Sequence, residues 1–302
     1  MDTFSRREFL KKASAGVAAA LVSSRAATGV GLQIRPGSAT ERVVLGNSGV
    51  EVPFLAYGTG VHGYNKQSEL TRLGEQRDLS LLSYAHERDM TFLDMADTYG
   101  THFLGRQALK SMPREKATVM TKFWNGTGPW EHPKGFAAKE LDRFRKELET
   151  EYLDIGLLHR QIETEWPAHS ARLRDELSDL KEQGVIKALG VSCHDFSAME
   201  VAASEPWVDV MLARINHRGG SSFSCDNTVD EIARVLKTAK ENGKGIIGMK
   251  IFGVGKLTEE SDRNASLRYV IDNGLVDAMT IGMLDESEID DNLTRIGQVL
   301  NG

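Results

Sequence analysis

From Glu41 to the C-terminus, short apolar runs alternate with longer stretches in which apolar residues recur every three or four positions. The first unit has a different period. RVVLGNSGVEVPFL alternates apolar and polar residues about Asn47-Ser48-Gly49, which predicts a β-hairpin. Beyond it, apolar runs predict strands at 54–57, 91–94, 118–122, 155–158, 188–192, 208–213, 245–249 and 278–281. Amphipathic segments at 79–88, 135–149, 170–183, 229–242 and 286–299 predict helices between them. In 139–149, Leu141, Phe144 and Leu148 line one face, with charges filling the rest. Gly184 and Gly243 stand where two of these segments end, Gly274 marks the end of a further helix, and all three suit the left-handed backbone of a helix C-terminus. Alternating strands and helices predict parallel strands covered by helices. Eight such units are the number that closes a (β/α)8 TIM barrel. The fold class is therefore α/β, a TIM barrel with an N-terminal β-hairpin. An open doubly wound sheet would want a glycine-rich turn that opens a helix. GTGVHG at 58–63 has that spacing, but His62-Gly63-Tyr64-Asn65 is loop chemistry and no helical pattern follows directly.

The first 40 residues lack this alternation. SRREFLKK at 5–12 is followed by a weakly apolar, alanine-rich run at 13–24, too short and too small for a membrane span. This N-terminal stretch resembles a twin-arginine export signal, with Arg6 and Arg7 in the pattern S-R-R-x-F-L-K. That resemblance implies a signal peptide over 1–26, recognition by the twin-arginine translocation machinery, and a periplasmic or otherwise exported bacterial protein. The alternative is a basic amphipathic helix with no export role. Residues 27–40 (ATGVGLQIRPGSAT) read as a flexible linker, and 41–302 as the barrel. The twin-arginine route carries folded proteins, often with a cofactor inside, so the N-terminal motif itself points to cofactor chemistry.

Charge narrows the partners. The chain has 37 Lys and Arg against 43 Asp and Glu. Five of those cations and two of those acids lie in 1–26, which leaves 32 against 41 and a net charge of −9. An acidic body argues against nucleic acid and anionic membranes as partners. No later segment approaches a membrane span. Two cysteines, Cys193 and Cys225, make no metal site by themselves, so no metal centre is expected. An exported chain allows one disulfide, but two free thiols are the simpler reading because the pair lacks a framework spacing.

Active sites of barrels lie where the strands end. Reading those ends gives Asp94 and Tyr99 from FLDMADTYG, Lys122 from VMTKFW and His159 from IGLLHR. With LGNSGVEVPFLAYGTG at 45–60, GVIKALGVSCHDF at 184–196 and the final TIGMLDESEIDDNL, they make the chain resemble the aldo-keto reductase family over about 41–302. The resemblance implies an oxidoreductase that moves hydride between NAD(H) or NADP(H) and an aldehyde, ketone or sugar. It also implies that Asp94, Tyr99, Lys122 and His159 are its catalytic tetrad. Elementary chemistry agrees with those roles. Hydride addition puts negative charge on the carbonyl oxygen, so a proton donor must stand beside it. Free tyrosine, with a pKa of about 10, is a weak acid at neutral pH. A neighbouring ammonium is expected to lower that pKa, with Asp94 holding Lys122 charged and His159 donating a hydrogen bond to the carbonyl.

The resemblance further implies a cofactor site of Gly58, Thr59, Gly60, Ser192, Lys250, Gly253, Gly255, Asp291 and Asn292. KIFGVGK at 250–256 suits a pyrophosphate. Four family positions differ. Cys193 replaces the usual Asn and Leu212 the usual Gln, while Gly282-Met283 and Glu288 stand where NADP-preferring members place the Lys and the Arg that grip a 2′-phosphate. A carboxylate there repels a phosphate, so NAD(H) is slightly favoured. His62, Tyr64, Trp124, Trp130, Arg160 and His217 fall in loops at the top face and are candidates for substrate contact. Arg160 reads either as a grip on a carboxylate or hydroxyl-rich substrate or as a salt-bridged rim residue. The competing function is an exported barrel that binds a small ligand with little or no redox turnover. The lost Gln and Glu288 favour it, and the intact tetrad opposes it.

Overall fold

A computed structural model describes residues 35–124 and 132–302. The expected signal at 1–26, most of the expected linker and Trp130 lie outside the described residues. The body is a closed barrel of eight parallel strands. An antiparallel hairpin precedes it, formed by β1 (Arg42–Val44) and β2 (Glu51–Pro53). The barrel strands are β3 (Leu55–Gly58), β4 (Phe92–Asp94), β5 (Thr118–Phe123), β6 (Leu153–Gln161), β7 (Ile186–Cys193), β8 (Val210–Arg214), β9 (Gly245–Met249) and β10 (Ala278–Gly282). They pair in chain order, and β10 closes onto β3 through Met279↔Leu55 to Gly282↔Gly58.

The helices around them are α1 (Glu69–Arg72), α2 (Glu75–His86), α3 (His102–Ser111), α4 (Phe136–Leu148), α5 (Trp166–His169), α6 (Ala171–Glu182), α7 (Phe196–Ser204), α8 (Val229–Glu241), α9 (Glu260–Asp272) and α10 (Glu286–Asn301). The sequence pattern finds α2, α4, α6, α8 and α10 to within a few residues. It does not single out α3 or the single-turn α1 and α5, nor α7, whose FSAMEVAAS is small and largely apolar, nor α9, whose first turns are polar. Asp195, Thr228 and Asp285 cap α7, α8 and α10 by accepting hydrogen bonds from the first-turn amides of Ser197, Glu231 and Glu288.

Two apolar layers result. The strands' outward side chains pack under the helices, and Phe123 of β5, Phe144 of α4 and Trp166 of α5 are among the largest residues of that layer. Inward residues such as Phe92, Met120, Ile155, Leu157 and Ile247 fill the lumen. Leu45, Val50 and Val52 of the hairpin join that inner cluster, and the Asn47 amide donates to Gly243 O at 2.8 Å, beside the start of β9. The hairpin therefore plugs the mouth where the strands begin. Acidic groups tie strand starts together there. Asp154 accepts from the Val119 amide at 2.9 Å and pairs with Arg114 and Lys187.

The stretch read as a flexible linker is docked over its last residues. Ala39 is buried, the Leu55 amide donates to Ala39 O at 2.8 Å, and Arg35 pairs with Asp272 at 3.0 Å. Glycine, serine and proline look like a tether, but here they let the chain run flat against the barrel. No described helix is long and apolar enough to cross a membrane.

Candidate active site

The four strand-end residues converge. Asp94 is the last residue of β4 and Lys122 the fifth of β5, and the two strands run in register with Asp94 opposite Met120. Lys122 is fully buried. Its ammonium donates to Asp94 Oδ1 and to the Met95 carbonyl at 2.8 Å, while Thr280 Oγ1 donates to Asp94 Oδ2 at 2.9 Å. Both carboxylate oxygens are thereby engaged. A buried ammonium is otherwise driven to lose its proton. Burial pulls on Lys122 in that direction, but Asp94, with Tyr99 adding to it, outweighs burial and holds the lysine's pKa above the ordinary value.

Tyr99 closes a single 3-10 turn, 97–99, directly after β4. Lys122 Nζ lies 4.8 Å from its ring centroid, and its hydroxyl lies 3.5 Å from His159 Nε2. The ring is wedged against backbone. A Cβ at Gly60 would stand 2.1 Å from Tyr99 Cε2, and one at Gly63 would stand 2.2 Å from Cδ1. The later glycines of the GTGVHG run thus make room for the tyrosine, although the sequence pattern assigns Gly60 to the cofactor. Thr59 is likewise structural. It is buried, with its hydroxyl donating to Asp94 O at 2.7 Å and sharing a hydrogen bond with Thr101 at 2.8 Å.

The direction of the tyrosine shift corrects the expectation. Burial raises the Tyr99 pKa above its usual value, and Asp94 adds to that. Lys122 opposes both, as the chemistry predicts, but does not reverse them. Tyr99 therefore holds its proton at neutral pH. His159 moves the other way. Burial, then the charges of Lys122, Arg160 and Lys250, push it well below the usual imidazole range, so the ring is neutral. Trp124 meets it edge-on at 5.7 Å.

A cleft of about 530 Å³ runs from Tyr99 and Asp94 across Gly58 and Leu212 to the loop after β9. It ends at Glu288, Asp291 and Asn292. In that loop Lys250, Gly253, Val254 and Gly255 all have positive φ, between 57° and 76°. Turns of this kind can form a nest of backbone N–H groups that suits an anion, although here the Gly253 amide is already used, donating to Lys250 O at 2.8 Å. Asn216 braces the loop by donating to Lys250 O at 3.1 Å. Ser192 is buried at the end of β7 and stands opposite Leu212 in the sheet.

Several predicted contacts lie elsewhere. Tyr64 is 65% exposed and outside the cleft. His217 pairs with Asp262 at 3.2 Å rather than facing the cavity. Gly253 shapes the nest without lining the cleft. Arg160 is exposed on a β6 bulge with a φ of 59°, and makes no salt bridge among the described residues. His62 lines the cleft and pairs with Glu69. Both cysteines are buried free thiols.

The structure adds residues the pattern does not reveal. Arg263 of α9 lines the far end of the cleft and approaches Asp291 at 3.6 Å. Asp291 is also held by Arg295 at 2.7 Å. His194 accepts from Arg214 Nη2 at 2.6 Å, and Arg214 reaches Asp226 at 2.9 Å on its other side. Arg263 goes unread because its helix does; Arg214 and His194 could have been found from their places at the ends of β8 and β7.

Known proteins share this architecture and part of this sequence. The profile described as "Aldo/keto reductase family" matches residues 55–297. A Glycine max protein named "Probable aldo-keto reductase 1" is 35% identical over 160 residues, half of this chain, and the match spans 44% of that relative's length. Two solved structures share the fold at lower identity. The aldo-keto reductase of Bacillus halodurans in its holo form is 16% identical with a TM-score of 0.66, covering 87% of this chain and 95% of its own. A Bombyx mori aldo-keto reductase in complex with NADP is 17% identical with a TM-score of 0.62, covering 86% and 92%. With the profile spanning most of the barrel and the tetrad assembled at its strand ends, the chain belongs to the aldo/keto reductase family.

Proposed function

We propose that this chain is an oxidoreductase transferring hydride between a nicotinamide nucleotide and a carbonyl or alcohol carbon, with Tyr99 as general acid and base. One observation carries the reading. Lys122 is completely buried and kept charged by Asp94 against the face of a tyrosine that opens into a cleft. An ion pair buried beside an otherwise neutral phenol is expensive, and a pure binding site gains nothing from it. It does serve a group that must pass through a negatively charged state.

The cleft residues fit a dinucleotide. The nest at 250–255 offers backbone amides to a pyrophosphate. Ser192 lies beside the cleft floor formed by Gly58 and Leu212, and Asp291 and Asn292 close the far end. When bound, the nicotinamide supplies or receives the hydride. The protein does the rest. His159, neutral, donates one hydrogen bond to the carbonyl oxygen and orients it. Tyr99 gives that oxygen its proton. The ammonium of Lys122 stabilises the resulting tyrosinate, and Asp94 keeps Lys122 in place.

We favour NAD(H), because Glu288 lines the far end as a carboxylate that pairs with no cation among the described residues. A second reading has its own support, since Arg263 lies at the same end and could meet a 2′-phosphate. The S-R-R-E-F-L-K motif at 5–11 supports export by the twin-arginine route with the nucleotide already inside. The test is mass spectrometry of small molecules released on denaturing protein purified from an exporting host. Stoichiometric NAD(H) supports the reading in full, and stoichiometric NADP(H) keeps the chemistry but moves the preference to Arg263. A protein that is empty and also ignores added nucleotide returns the case to a ligand-binding barrel.

A further inference from the structure

The charges around the tetrad do not balance. Asp94 is taken by Lys122 and Thr280. Asp97 is taken by Lys66 and Arg143. Arg214 is shared between Asp226 and His194. His159 and His194 are both driven neutral, by burial first. Two cations remain without a carboxylate or a hydrogen-bond acceptor among the described residues, Lys250 and Arg160. In a body with a net charge of −9, two unmatched cations whose charges both reach His159 run against the global trend.

Lys250 is the more telling of the two. It lines the cleft together with Tyr99 and Asp94, immediately after β9. Its backbone sits at φ 63°, a conformation that strains any residue with a side chain, and Asn216 holds it there. Its half-buried ammonium has its pKa lowered to about 8, by burial first and then by Arg214, with Asp94 opposing and Lys122 adding to the fall. Met249 pairs with Arg214 across β9 and β8, so Lys250 follows directly on the strand end beside the Arg214–His194 pair. The loop's other lysine, Lys256, is already engaged, donating to Ser222 O at 2.7 Å. A pyrophosphate in the nest would thus be met by backbone amides, with Lys250 left over.

We propose that the tetrad end of the cleft receives a carbonyl compound that also carries a carboxylate, and that Lys250 is the group that anchors this carboxylate. Arg160, exposed at the rim, contributes the field that draws the anion in. A half-buried ammonium is poorly solvated, so an anion that meets it gains more than it would at a free surface lysine. This inference rests on the oxidoreductase reading above, and its test is built so that the two can fail separately.

The experiment compares 4-formylbenzoate with its methyl ester, two aldehydes of similar shape that differ in charge. The full chain and its Lys250→Gln and Lys250→Arg variants are assayed for kcat/KM with NADH and NADPH. Calorimetry records the binding of both aldehydes, and fluorescence titration records the binding of both nucleotides. The wild-type protein is expected to prefer the acid at least tenfold. Lys250→Gln should cut the acid-to-ester ratio about tenfold, and Lys250→Arg should restore most of it, which also shows that the position tolerates change. A wild-type ratio near one, or a ratio that Lys250→Gln leaves alone, overturns the proposal. So does a Lys250→Gln variant whose main defect is weaker nucleotide binding, because that assigns the lysine to the pyrophosphate. If neither aldehyde turns over with either nucleotide, the oxidoreductase reading fails, and calorimetry alone decides the anchor. Acid-selective binding that Lys250→Gln abolishes upholds it, and equal binding of acid and ester overturns it.

Discussion

Asp94 and Asp78 are both buried carboxylates, 7% and 1% exposed, and the chain treats them in opposite ways. Asp94 stands at the tetrad with an ammonium on one oxygen and a threonine hydroxyl on the other. Asp78 sits in the first turn of α2, and neither of its oxygens has a hydrogen-bond partner. Burial, with help from Glu75, raises its pKa to about 6. The contrast shows what a partner does. A buried acid with a matched cation can organise a site, whereas one without is pushed toward its neutral form and weakens the fold.

The largest effect is expected where Asp94's partner serves the chemistry. Tyr99→Phe removes the acid while leaving the Asp94–Lys122 pair intact. Turnover should fall about 10²–10⁴-fold with the melting temperature unchanged. Turnover that survives this change would mean that another group supplies the proton. Next, Lys122→Met strips Asp94 of its cation and turns it into a second Asp78. Breaking a buried pair from one side should cost about 3–5 kcal/mol in urea unfolding, and the double variant Asp94→Leu/Lys122→Met should regain much of it. No loss in the single variant would mean that water already reaches the pair.

Asp78→Asn tests the other half of the comparison. The folded pKa is raised, so the penalty is present above about pH 6, fades as pH falls, and is gone below the unfolded value of 3.8. The variant should therefore be more stable by about 1–2 kcal/mol at pH 8 and equal to the wild type near pH 3.5. A gain that is the same at both pH values would trace to packing rather than charge. The smallest effect concerns the far end of the cleft. Glu288→Gln keeps the acceptor that receives the Leu284 amide at 2.7 Å but drops the charge. The ratio of NADPH to NADH affinity should rise by roughly threefold to fivefold, the scale of a screened surface charge. If Arg263→Ala moves that ratio further in the opposite direction, the arginine sets the preference.

These contrasts mark how far the sequence could be read. The barrel is legible because each strand is a short apolar run bounded by polar or glycine residues, and Asp94, Lys122 and His159 lie on such runs. Partnership is not legible in the same way. Thr280 meets Asp94 across 186 positions, and nothing local distinguishes Asp78 from any other acid near a helix start. Lys250 and Gly60 both read as cofactor contacts because they stand in glycine-containing loops. Only the fold shows one among the tetrad's cations and the other cleared for a tyrosine ring. Helix α9 carries no apolar stripe in its first turns, so Arg263 stays hidden until the chain is folded.

The hairpin has a kinetic meaning as well. With Leu45, Val50 and Val52 capping a lumen that strand side chains already fill, the described residues leave the cleft one door, at the strand ends. Traffic through one door is last in, first out. A molecule lying on the floor at Gly58 and Leu212 can leave only after whatever sits between it and solvent. Steady-state inhibition patterns of this protein should accordingly be those of ordered addition, with the deeper ligand entering first and departing last.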